Sequence, residues 1–207
     1  MKKVIGKISA TLVIVFGSAG VAQAIPVTIN MTGDNTLIGG ACSDATCTDV
    51  TPFSLTNSGN WRLSDSVLLD LGPGTYSFAW YVENLGTGSQ GNPAALLAEI
   101  LWDGGASYSS SGWEVFDQAT GAFLAGATWY GSHGGANIWT NVNGGSVAGI
   151  SGHASWIYTA NNFAGADRSA WFRTSITVVP EPTTLSLLGV SLLGLGLLRR
   201  RKRAWLQ

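Results

Sequence analysis

Residues 74–83 read Gly-Thr-Tyr-Ser-Phe-Ala-Trp-Tyr-Val-Glu. Two-residue alternation puts Tyr76, Phe78, Trp80 and Val82 on one face and Thr75, Ser77, Ala79 and Tyr81 on the other, the pattern of a strand with one face in a core. Leu71-Gly72-Pro73-Gly74 marks the turn before it. The stretch Ala170–Val179 alternates in the same way, with Phe172, Thr174, Ile176 and Val178 against Trp171, Arg173, Ser175 and Thr177. Between them, Trp113–Phe116 and Ala122–Leu124 flank Asp117-Gln118-Ala119-Thr120-Gly121, a loop of hairpin length with Gly at its end. Further short apolar runs occupy Val27–Met31, Phe53–Leu55, Ser66–Leu71, Leu96–Trp102, Ala127–Tyr130, Asn137–Asn141 and Ser155–Thr159. About ten strands in roughly 155 residues, punctuated by turn residues, predict an all-β fold, a two-sheet jelly-roll-like sandwich. Pro93 followed by Ala94-Ala95-Leu96-Leu97-Ala98-Glu99 also fits a helical turn begun at a proline.

Outward from this body the composition changes. The chain has 207 residues and a formal net charge of −1, with 45% apolar and 11% charged residues. That length suits one medium domain with appendages, and the composition excludes disorder and charged helical bundles. The charge is divided by segment. Lys2, Lys3 and Lys7 lie at the start, and Arg199, Arg200, Arg201, Lys202 and Arg203 at the end. Between Ile25 and Pro182 only Arg62, Arg168 and Arg173 face all 12 acidic residues, which leaves −9. So acidic a body excludes nucleic acid as a partner.

Lys2 and Lys3, the apolar stretch Ile8–Val21 and Ala22-Gln23-Ala24 have the three parts of a secretory signal peptide, residues 1–24, cut by signal peptidase after Ala24. An uncleaved anchor is the competing reading. The body then covers residues 25–178 outside the cytoplasm. At the other end, residues 179–207 hold Pro180-Glu181-Pro182, an apolar run at 183–198 and the basic residues 199–203. Sixteen residues of helix span about 24 Å against a hydrocarbon core of roughly 30 Å, so the run can anchor marginally, with its arginines snorkelling. The basic cluster keeps that end cytoplasmic and the body on the far side of the inner membrane. Read blandly, the run is a core helix or a plain anchor behind an inert linker.

The order Pro-Glu-Pro, transmembrane helix and Arg-rich cluster resembles the PEP-CTERM sorting signal of Gram-negative bacteria. The resemblance implies processing by exosortase and sorting from the inner membrane to the cell surface or matrix in organisms that make exopolysaccharide. Pro180 and Pro182 would hold the strip extended and unpaired, as a processing enzyme needs. A weaker resemblance links Gly74–Asn84 with Asn92–Ile100, and Ala154–Tyr158 with Ala170–Arg173, to galactose-binding-like jelly-roll domains of bacterial surface proteins. It implies glycan contact at loops on one end and carries no catalytic residue across.

Few residues carry chemistry. Cys42 and Cys47, in a Gly/Ser/Asp/Thr loop, predict a small disulfide in an oxidising compartment. His133 and His153 lie in Gly-rich loops without a G-x-S-x-G elbow. The acid pairs Asp65/Asp70, Glu99/Asp103 and Glu114/Asp117 read as solvating side chains, with a glycosidase pair as the sharper alternative. No metal-ligand motif stands out, and the expectation is no cofactor, with a structural calcium ion at Asp34-Asn35 or Ser43-Asp44 as the alternative. Trp129, Tyr130, Trp139 and Trp156 are candidates for stacking on sugar rings, with core packing as the alternative. These readings predict a non-catalytic, structural or adhesive surface protein associated with exopolysaccharide or biofilm. Two alternatives remain: an envelope carbohydrate-active hydrolase, and a glycan- or calcium-binding module.

Overall fold

A computed structural model describes residues 24–86, 88–89, 91–143, 146–161, 168–179 and 191–192. Of the chain's two units, Gln23–Glu181 carries the fold, and only residues 191–192 of the other are described. The expected signal-peptide helix and most of the span at 183–198 lie outside the described residues. Among the described residues no helix is long and apolar enough to cross a membrane.

The body is all-β, two antiparallel six-stranded sheets forming a sandwich. In chain order the strands are β1 (Ile25–Asp34), β2 (Thr36–Cys42), β3 (Val50–Pro52), β4 (Asp65–Leu71), β5 (Gly74–Glu83), β6 (Ala95–Trp102), β7 (Gly105–Tyr108), β8 (Glu114–Asp117), β9 (Ala122–Gly126) and β10 (Thr128–Ser132). The helix α1 (Ile138–Asn143), β11 (Ser155–Tyr158) and β12 (Ser169–Val178) follow. One sheet runs β10-β11-β6-β1-β4, with β7 paired to β6, and the other β3-β2-β5-β12-β8-β9.

Alternation along β5 and β12 does what it predicts. Phe78, Trp80 and Val82 enter the core between the sheets, as do Phe172, Ile176 and Val178, and the Trp80 ring stacks on Trp113 with centroids 4.6 Å apart. β5 and β12 pair over ten residues, from Gly74↔Val178 to Glu83↔Ser169.

β6 behaves differently. Leu96, Ala98 and Ile100 face the shared core, while Ala95 and Leu97 enter a second cluster with Trp139, Val147, Ile150, Ala154 and Trp156. The strand is therefore buried on both faces. That removes alternation from its sequence and makes Ala94–Glu99 resemble a helix, but it is strand from Ala95 onward. The cover over its outer face is formed by Trp139 of α1 with Val147, Ile150 and Ala154.

Other differences have local reasons. Asn137–Asn141, expected as a strand, contributes to helix α1: the Asn141 amide bonds the Asn137 carbonyl at 2.9 Å, and Trp139 is drawn onto Trp156 by stacking at 4.7 Å. Tertiary packing there outweighs the β-preference of Ile, Trp, Thr and Val. The strand expected at Phe53–Leu55 lies at Val50–Pro52. β2 was hidden by Gly39-Gly40, which serve close packing: a Cβ on Gly39 would fall 2.7 Å from the Met31 sulfur, and one on Gly40 2.5 Å from the Thr51 carbonyl oxygen.

Leu97 tests the double burial of β6. Leu97→Ala should destabilise the protein by about 3 kcal/mol in guanidinium unfolding, because it empties a filled site; a cost under about 0.5 kcal/mol, normal for exposed positions, would contradict the covered outer face.

Candidate functional site

The sandwich has two poles. At one, β1 begins at Ile25 beside Leu71, and β12 ends at Val178 opposite Gly74. At the other, β1 ends at Asp34, β5 ends at Glu83 and β12 begins at Ser169. Ten residues of β12 separate the poles by roughly 30 Å.

Asp34 and Asn35 occupy the turn where the chain crosses from one sheet to the other. Asn35 Nδ2 donates to Asp34 Oδ1 at 2.6 Å, and Asn35 Oδ1 accepts from the Leu85 amide at 2.7 Å. Asn84 and Asn92 exchange hydrogen bonds, Asn84 Nδ2 to the Asn92 carbonyl at 2.8 Å and Asn92 Nδ2 to Asn84 Oδ1 at 3.0 Å. Short carboxamides thus stitch the β5–β6 loop to the β1–β2 turn. The Trp139 indole N–H donates to Asp34 Oδ2 at 2.9 Å. Arg62 lies with its guanidinium 4.6 Å from the Trp61 ring centroid.

These side chains surround a cleft of ≈ 140 Å³ bounded by Asp34, Asn35, Trp61, Arg62, Asn92 and Trp139. It holds one carboxylate and one guanidinium. Burial pushes the Asp34 carboxyl up from 3.8 to about 6, against the opposing pull of the Trp139 N–H and the Arg62 charge.

The aromatic candidates are dispersed. Trp139 and Trp156 are 2% and 1% exposed and stack on each other, so their ring faces serve packing and are not open to a sugar. Tyr130 is half-buried and donates its hydroxyl to the Thr159 carbonyl at 2.8 Å. Trp129 is exposed. Only Trp139 reaches the cleft, through its edge. Trp61, Arg62 and Asn92 went unnoticed in the sequence because two loops distant in the chain bring them together; the signal available was that Arg62 is one of three basic residues in the body.

The acids are equally scattered. Asp34, Asp65 and Glu99 are buried. Asp65 Oδ1 and Oδ2 accept the Thr56 and Asn57 amides at 2.8 and 2.9 Å. Glu99 accepts from Asn30 Nδ2 at 2.9 Å and from the Ser151 amide at 3.0 Å. His133 Nε2 accepts the Val147 amide at 2.7 Å, and its Nδ1 faces the Ser151 carbonyl at 3.0 Å, so the ring ties the cover together. His153 packs against Tyr108.

Among the described residues no three His, Cys, Asp or Glu side chains gather as metal ligands. At the two loops named for a calcium ion, the acids already accept N–H or O–H donors from the protein. Asp34 is bonded as above, and Asp44 Oδ1 accepts the Thr46 hydroxyl and the Thr46 and Cys47 amides, which hold its carboxyl below the usual range. Cys42 and Cys47 form the expected disulfide, with Cα atoms 4.8 Å apart. The loop it closes packs on the second sheet, where Arg173 bonds Glu114 at 2.8 Å and the Thr46 and Gly121 carbonyls at 2.8 and 2.9 Å.

At the opposite pole, Val178 leads into the sorting segment. Pro180, Glu181, Pro182 and the basic residues 199–203 lie outside the described residues, as does Ala22; Ala24 is exposed just before β1. Residues 178–202 match the family described as PEP-CTERM protein-sorting motif. No curated protein and no solved structure matches the chain, so the jelly-roll resemblance gains no counterpart. The motif marks an exported protein targeted by exosortase and anchored in the membrane before processing.

Asp34 makes a pH prediction. A folded-state value above the unfolded one means that folding takes up a proton, so this contribution is complete below pH 3.8 and is lost as pH rises through about 6. The displacement of about two units corresponds to about 3 kcal/mol. Guanidinium unfolding across that range should show wild type losing about 3 kcal/mol relative to Asp34→Asn, and a constant difference between them would contradict the assignment.

Proposed function

We propose that the mature protein is a non-catalytic, cofactor-free component of the cell surface or matrix of a Gram-negative bacterium, structural or adhesive in role and associated with exopolysaccharide. The signal peptide delivers it across the inner membrane, the C-terminal segment holds the body on the periplasmic side, and exosortase then releases it towards the exterior.

The observation that carries this reading is the placement of the two special features at opposite poles. The sorting motif begins at Val178, and the polar cleft opens at the other end of the same strand. A body tethered by one pole presents the other. Hydration favours the same reading, since Ser, Thr, Asn and Gly on a lightly charged surface exchange hydrogen bonds readily with sugar hydroxyls. A hydrolase would place two carboxyl groups about a scissile bond. Here one carboxylate, Asp34, shares the cleft with a guanidinium, while Glu99 and Asp65 are committed to backbone amides elsewhere.

Intact-mass measurement of the protein recovered from its host tests the sorting step. The main species should begin at Ile25 and lack Arg199–Arg203, and retention of those residues in the main exported species would contradict it. The same material should be retained by the host's polysaccharide without generating new reducing ends. Reducing ends that accumulate with time would establish the hydrolase instead.

A further inference from the structure

The body has three cations, and two of them are engaged. Arg168 pairs with Glu83 at 3.7 Å and donates to the Asn84 carbonyl at 3.3 Å. Arg173 pairs with Glu114 and bonds two carbonyls. Arg62 has no carboxylate within 4.0 Å among the described residues, in a body with a fourfold excess of acids. It is exposed, yet its guanidinium lies over Trp61, whose ring is fixed by edge contact with Trp156 at 6.3 Å. Contact with an aromatic face consumes none of the guanidinium N–H groups, which stay able to donate.

Beside it, Asp34 is held from the other side. Each of its oxygens accepts one N–H, from Asn35 and from Trp139, which fixes the carboxylate and leaves acceptor capacity on both oxygens. A fixed acceptor and a donor resting on an aromatic ring therefore share a cleft with apolar walls from Pro93, Ile138 and the Trp139 edge. Three features narrow the ligand. Its charges cancel, which disfavours a net anion or cation. The −9 body further repels polyanions. Finally, ≈ 140 Å³ is of the order of one sugar ring.

We propose that this cleft binds one neutral hexopyranose unit, with Asp34 accepting from one of two adjacent hydroxyls, Arg62 donating to the other, and the apolar wall covering the ring's C–H edge. Vicinal hydroxyls are both donors and acceptors and can bridge a carboxylate and a guanidinium at once. Asn35 and Trp139 are positioning residues, acting through Asp34.

The inference rests on the saccharide reading above, and its test separates the two. The processed full-length protein is titrated with methyl glucoside, methyl galactoside and methyl mannoside, and with galacturonate and glucosamine, read by saturation-transfer NMR and tryptophan fluorescence. At least one neutral glycoside should bind more tightly than both charged sugars. Arg62→Ala, at an exposed position, should keep the unfolding midpoint and weaken binding about tenfold; Asp34→Asn should weaken it by a similar factor. No binding of any neutral glycoside, unchanged binding in Arg62→Ala, or preference for a charged sugar would overturn the proposal. Retention on the host polysaccharide with no response to glycosides overturns the cleft and leaves the broader reading standing. Glycoside binding lost in Arg62→Ala, without retention, establishes the cleft and removes that reading.

Discussion

The ten-residue antiparallel ladder between β5 and β12 organises the molecule. Its register is fixed by alternation: a slip of one residue would drive Tyr81 and Arg173 into the core and expel Trp80 and Phe172. With that register set, the two strands carry the largest side chains of the shared core and hold β2 on one side and β8 on the other. The ladder also runs from the start of the sorting motif to the polar cleft. One end is Val178, where the sorting motif begins, and the other is Glu83 and Ser169, next to Asn84, Arg168 and the polar cleft.

Fold and site meet again in the layer over the outer face of β6. Covering that face buries Ala95 and Leu97 but also Asn30, Thr32, Asp34 and Glu99. Buried polar groups are costly unless bonded, and the cover bonds the two carboxylates, through the Ser151 amide to Glu99 and the Trp139 N–H to Asp34, while Asn30 bonds Glu99 and Thr32 Oγ1 stays without a partner among the described residues. The contact that satisfies Asp34 also orients it. Trp139 thereby packs the second cluster with its face and shapes the cleft with its edge.

How much the sequence disclosed depended on whether one face or two were buried. β5, β12 and the β8–β9 hairpin alternate cleanly because one face meets the core, and their positions could be read directly. β6 carries apolar residues on both faces, so its pattern was ambiguous with a helix. β2 was concealed by glycines whose purpose, close approach to Met31 and to the Thr51 backbone, exists only in three dimensions. The sorting motif was legible because it is a linear signal. The cleft was not, since Asp34, Arg62, Asn92 and Trp139 come from four separate stretches of the chain: the end of a strand, two loops and the start of a helix. Among the aromatic candidates, chemistry alone could not tell Trp139 and Trp156, which stack on each other in the interior, from Trp129 at the surface.

The central claim is a division of labour between the two poles of one sandwich. Amide hydrogen exchange on the full-length protein, with and without the polysaccharide of its own host, tests it most directly. Added polysaccharide should slow exchange at residues 34–35, 61–62, 84–85 and 138–139, and leave the pole at residues 71–75 and 177–178 unchanged. Slowing confined to that second pole, or spread evenly over the sheets, would contradict the account.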